Sequence, residues 1–196
     1  AVNEGSITAY ANAIYDDEFK IEMTQEDITK IGGAREEIMQ VIDWSSDEED
    51  AIKDTLIKVE FDRTTVKKWR VKEEWFFDKQ RSVMDVRIIG ICPMKEGRDE
   101  ITGELTGFFD PLFWVYFPEA RSILANAEIF NLMKNDAERR TYDDIFWKRM
   151  FSSYIIKESN VMDRKLNEYM VGLDAILKSE EIKAELFNIE HDLWEY

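Results

Sequence analysis

The sequence predicts an α+β fold: an antiparallel β-sheet, built on a central hairpin with additional strands, packed against C-terminal α-helices. Three observations carry this. Residues 67–93, KKWRVKEEWFFDKQRSVMDVRIIGICP, form two strand patterns joined by a short polar turn, with Trp69, Val71, Glu73, Trp75 and Phe77 on one face at period two. Residues 112–117, LFWVYF, give a third strand that is apolar on both faces. In the last third, Met162, Leu166, Tyr169, Met170, Leu173, Ile176 and Leu177 recur at the spacing of one helix face.

Taken in order, residues 1–13 read as a helix tail or loop, Asp16, Asp17 and Glu18 as an acidic turn, and residues 19–23 as a short edge strand. Thr24 is an expected N-cap, followed by acidic side chains in the first helical turn. That helix should stop at Gly32 and Gly33, which lack the downstream Lys of a phosphate loop. Residues 35–44 are ambiguous between helix and strand. The polar run Ser45, Ser46, Asp47, Glu48, Glu49, Asp50 lacks the central Gly of an EF-hand and reads as a solvated loop or capped helix start. A strand is expected near residues 55–61. After the hairpin, residues 95–109 contain Gly97, Gly103 and Gly107 and read as a surface loop or ribbon tip. Pro118 should end the third strand and open one or two helical turns, and residues 130–136 should form a loop. Thr141 and Asp144 have the spacing of a capping box ahead of a helix carrying Ile145, Phe146, Met150 and Tyr154. A second helix is expected from about Asn160 with the Met and Leu stripe as core, and a third capped by Ser179. The closing aromatics Trp194 and Tyr196 suggest a docked terminus.

Charge divides the chain more sharply than hydrophobicity does. The net charge is −16. Residues 1–62 carry 17 acidic against 5 basic groups, residues 63–95 carry 4 against 9, and residues 96–196 carry 21 against 12. The expected organisation is an acidic N-terminal arm and helical region over 1–62, then an α+β core over 63–196 that includes a helical subdomain at 141–196. A chain this acidic is a poor ligand for nucleic acid or an anionic membrane surface. No apolar run approaches the ~20 residues needed to span a bilayer. The chain starts without Met or a signal-peptide pattern, so it reads as a mature or trimmed segment.

The search for chemistry is largely negative. One Cys excludes an internal disulfide, and one His excludes a multi-His metal site. Cys92, in an apolar strand before Pro93, is expected to be buried. The best catalytic constellation is Glu73, Glu74 and Asp85 among Trp69, Trp75 and Phe76, since paired carboxylates beside aromatic rings suit glycoside chemistry. Glu73 and Glu74 are adjacent, however, and point to opposite faces of a strand. Asp85 is expected to pair with Arg87. No catalytic residue, metal or cofactor is therefore assigned. A basic hairpin between acidic flanks can be neutralised within the fold or can pair head-to-tail between copies, and the candidate contact residues are Lys67, Lys68, Arg70, Lys72, Trp69, Trp75 and Trp114. The alternative is a peptidoglycan- or glycan-binding module using the aromatic strand face of Trp69 and Trp75.

A succession of motifs narrows the choice: GSITAY and DDEF within residues 5–19, WFFDKQRSVMDVRIIGICP, PLFWVYFPEAR, YDDIFWKRMFSSYIIKESN, GLDA at 172–175 and ELFNIEHDLWEY. In this order they resemble the GldN/PorN family over roughly residues 5–196. The resemblance implies a non-catalytic, periplasmic component of the type IX secretion and gliding-motility machinery of Bacteroidetes. It implies a ring formed by self-association together with an outer-membrane lipoprotein of the GldK/PorK type, at the inner face of the outer membrane. It also implies contact with the motor-linked GldM/PorM protein.

Overall fold

The computed structural model describes residues 2–11, 17–31, 35–42, 52–59, 63–99, 104–130 and 139–193. These form mixed α+β architecture with antiparallel sheets, in two compact units. The first comprises Ala1–Glu73 and Ile88–Ile123, the second Glu74–Arg87 and Leu124–Tyr196.

In the first unit, a 3-10 turn at Val2–Glu4 leads to β1 (Ala9–Tyr10), and α1 (Gln25–Ile31) follows. Thr24 caps α1 as its sequence predicts: its hydroxyl accepts from the Asp27 N–H at 3.3 Å and donates to the Asp27 carboxylate at 2.6 Å. The Gly32–Gly33 stop and the 45–50 run lie outside the described residues. The ambiguity at 35–44 resolves as a strand. β2 (Arg35–Ile42) pairs antiparallel with β3 (Ile52–Val59) in a two-stranded sheet of its own.

The main sheet has the order β1-β7-β5-β4, with β6 also paired to β5. β4 (Val66–Asp78) and β5 (Val83–Arg98) are the predicted hairpin, and both strands contribute to both units. β5 is longer than its apolar run suggests, because it continues through Pro93. At Gly90 and Ile91 it pairs with β7 (Trp114–Tyr116); from Met94 it pairs with β6 (Leu105–Pro111). Pro93 sits where the partner changes, so its missing N–H costs no ladder bond, while its carbonyl accepts from the Leu112 N–H at 3.0 Å. Of the two readings for 95–109, surface loop or ribbon tip, the described residues form mostly ribbon, with a register shift between Glu96 and Arg98. The third strand is shorter than expected but lies inside the sheet, between β1 and β5. α2 (Phe117–Asn126) starts at once, and Pro118 is accommodated in its first turn.

In the second unit, β8 (Glu128–Ile129) pairs with β9 (Arg140–Thr141). The capping box is present as predicted: the Asp144 N–H donates to the Thr141 hydroxyl while the Thr141 N–H donates to the Asp144 carboxylate. The helix it opens, α3 (Tyr142–Trp147), ends far sooner than its periodicity suggests. Arg149 turns left-handed, with φ 52°. The helix expected from Asn160 is largely absent. The Asn160 side chain instead accepts from the Arg164 N–H and donates to the Glu158 and Arg164 carbonyls, so it organises a turn in competition with a helix. Only α4 (Leu166–Tyr169) forms before Gly172, at φ 60°, starts α5 (Leu173–Asp192). Ser179 is no cap. It lies inside α5, buried, and its hydroxyl accepts from the Ile155 N–H at 2.8 Å. Leu166 is buried, but Met162, Leu173, Ile176 and Leu177 are exposed, against their expected place in a core.

Candidate functional site

The candidate contact residues of β4 are mostly engaged within their own unit. Lys67 hydrogen-bonds to the buried carboxylate of Glu96. The Lys68 ammonium sits 3.9 Å above the Phe109 ring. Arg70 is half-buried, and its positive charge acts on Cys92. Lys72 donates to the Asp17 carbonyl at 2.6 Å and to its carboxylate at 3.2 Å, and lies 5.5 Å over the Phe19 ring. The basic strand thus draws acidic and aromatic partners from the same unit. Trp69, on the same strand, is 48% exposed and Trp75, in the second unit, is 38% exposed. Arg149 lies 5.3 Å over the Trp75 ring and 5.4 Å over Phe151. Trp114 is a core residue, 2% exposed, packed with Cys92. Its ring supports the sheet from inside and is not on the surface.

Above that core is a feature that strand periodicity does not reveal. Phe19 has φ 57°, an outlier for a bulky side chain. Its ring meets Tyr10, Trp114 and Tyr116 edge-on at centroid distances of 5.6, 5.8 and 6.1 Å. Each such pair contributes about 0.5–1.5 kcal/mol beyond burial, which offsets a backbone cost of about 1–3 kcal/mol. Gly90 makes room for it. A Cβ there would come within 2.3 Å of the Phe19 ring and 3.3 Å of the Val115 carbonyl. The segment is tied down further by backbone bonds from Ala11 to Ile21 and from Met23 to Ala9. Residues 19–23 therefore dock through one aromatic knob and a single bridge, Tyr10 to Glu22, rather than as the expected edge strand. A Gly within the apolar run of β5 was the one legible sign of a close approach.

Of the carboxylates singled out for catalysis, Asp85 has a structural partner. Asp85 pairs with Arg81 at 2.8 Å, not with Arg87, whose guanidinium lies 5.4 Å over Phe76. Arg81 also holds Asp78 at 2.8 Å, so one guanidinium in the turn bridges both strand ends. Its hydrogen bond keeps the Asp85 carboxyl below the usual carboxylate range, and that of Asp78 likewise. Burial pushes the Cys92 thiol up to about 12, which leaves it protonated and a poor nucleophile at neutral pH. Among the described residues, no cluster of His, Cys, Asp and Glu has metal-site geometry, and no helix is long and apolar enough to cross a membrane. What the arrangement offers is surface: exposed aromatic rings on a ribbon and on helices.

The family described as "Gliding motility associated protein GldN" matches residues 1–195. No curated protein matches the chain.

Proposed function

From the premise that this chain belongs to the GldN family, we propose that it acts as a non-catalytic ring subunit of the periplasm. Membership makes it a component of the gliding-motility and type IX secretion machinery, and the family is structural rather than a known enzyme family. In the proposed assembly the subunit associates with itself and with an outer-membrane lipoprotein of the GldK/PorK type, at the inner face of the outer membrane. It contacts the motor-linked GldM/PorM protein as well. The observation that carries this reading is the extent of the family match, which spans both units. The chemistry supports it: of the candidate carboxylates Asp85 is held by Arg81, and the thiol is buried and protonated.

The proposed contact surface is β4, with exposed Trp69 leading one face and Lys68, beside Arg70 and Lys72, on the other, while Lys67 and Lys72 are already paired with Glu96 and Asp17. Trp75 belongs to the same ribbon strand, and Trp114 holds the sheet in shape from within. The test is co-purification of the lipoprotein with chain carrying Trp69→Ala and Lys68→Glu. Loss of the lipoprotein, with thermal stability kept, is the expected result. Undiminished co-purification and ring formation at low salt would remove β4 from the interface. Because Trp69 and Trp75 are exposed, a glycan-binding reading is tested alongside by sedimentation with purified peptidoglycan. Sugar binding without any protein partner would favour it.

A further inference from the structure

We propose that the solvent face of α5 docks an amphipathic helix of a partner protein, one whose apolar seam is edged by Lys and Arg. The 20 residues of α5 offer a surface about 30 Å long. At about 100° per residue, Ala175, Ser179, Ile182 and Leu186 fall on one side of the helix, and Ser179 and Ile182 are buried there. Leu173, Ile176, Leu177 and Phe187 lie on the opposite side, all four between 58% and 67% exposed, with Glu180 among them, its carboxylate paired with Lys183 at 2.9 Å. A second stripe borders them. Asp174, Glu181, Glu185 and Asp192 follow one another at heptad-like spacing along one edge of the apolar face. Lys178 pairs with Glu181 at 2.9 Å, so one ammonium stands against four carboxylates.

Shape and charge together select the occupant. Leu173, Ile176 and Leu177 at one end and Phe187 at the other can anchor a helix laid along α5, and Glu180 between them offers a further carboxylate to a Lys or Arg of the partner. The acidic edge repels anionic lipid and nucleic acid. It also disfavours a second copy. Two α5 helices packed antiparallel about a twofold axis would set the acidic edge of one against the same edge of the other. A helix edged with Lys or Arg meets opposite charge along its whole length. This surface does not depend on the β4 contact or on ring assembly.

The probe is a fluorescent synthetic helix of roughly 20 residues, with Leu at the seam positions and Lys or Arg beside them. It is titrated into the full chain and followed by anisotropy. Saturable binding is expected, weakened at least about tenfold in Leu177→Ser/Phe187→Ser and several-fold in Glu181→Lys/Glu185→Lys. Circular dichroism and Tm should be unchanged in both, because these side chains are exposed. A scrambled peptide of the same composition, without the seam, should bind at least about tenfold more weakly. Equal binding of the scrambled peptide, or undiminished binding by the Ser variant, would reduce the effect to bulk charge and overturn the proposal. So would a chain that sediments as a dimer and is split by the Ser pair, since the occupant would then be a second copy.

Discussion

The β7 strand and the α5 helix are both apolar, and they are covered to different depths. Trp114 and Val115 of β7 are enclosed: β1 and β5 flank the strand, and Phe19 lies against Trp114. α5 buries one side through Ser179 and Ile182 and presents Leu173, Ile176, Leu177 and Phe187 to solvent on the other. A side chain contributes to folding through the area it removes from water. β7 therefore belongs to the stability of this chain, whereas the outer stripe of α5 represents burial still available to a partner. Hydrophobic spacing marks a face as apolar in both cases. It does not say whether the cover comes from the same chain.

The sharpest break of this comparison sets Trp114→Ala against Leu177→Ser. Removing a large buried ring costs about 3–5 kcal/mol, and a substitution at an exposed helix position stays within about 0.5 kcal/mol. Chemical denaturation of the two variants should separate accordingly. Similar losses in both would mean that the outer stripe of α5 is covered within the chain.

Gly90→Ala comes next, and it isolates the knob above β7. The added methyl collides with the Phe19 ring, which can move only by leaving Tyr10, Trp114 and Tyr116. Overpacking of this kind costs about 1–3 kcal/mol. Faster proteolysis within the segment around Phe19, with β7 still protected from hydrogen exchange, is the expected pattern. An unchanged denaturation midpoint would show that the ring yields without loss.

How legible these regions were in the sequence follows from the range of the forces. Caps at Thr24 and Thr141 act within three residues, and both were readable and are present. The hairpin of β4 and β5 was readable because its pattern is local and its turn is polar. The helix breaks at Arg149 and Gly172 were not, because Asn160 and the left-handed residues compete with helical spacing over a turn or two. Ser179 looked like a cap because Ser is favoured there, yet its partner, the Ile155 N–H, comes from a segment 24 residues away. The basic charge of β4 was legible. Its neutralisation by Asp17, Glu96 and the Phe109 ring depends on residues brought together only by the fold.

Ser179→Ala tests the inner side of the helix whose outer side Leu177 represents. The change leaves the half-buried Ile155 N–H without its acceptor, at a cost of about 1 kcal/mol. Faster exchange of that one amide should accompany it. Ser179→Thr keeps the hydroxyl and should restore protection if the pocket admits the methyl. Equal stability of Ser179→Ala and wild type would place the bond outside the cooperative core.

The smallest effect is expected at the ribbon turn, where both partners are exposed to water. Arg81 lowers the pKa values of Asp78 and Asp85 through hydrogen bonds to their charged forms. A carboxyl whose folded pKa is depressed stabilises the fold above its unfolded value, near 3.9. That contribution fades as pH falls through the folded pKa. The dependence should therefore lie below about pH 4, and it should be flat at neutral pH. Carboxyl titration by NMR should show Asp85 moving back toward the ordinary range in Arg81→Ala. At neutral pH the variant's Tm should change little, because exposed ion pairs contribute little. If Asp85 titrates unchanged without Arg81, the Val86 N–H that donates to it at 2.9 Å is the stronger influence on this carboxylate.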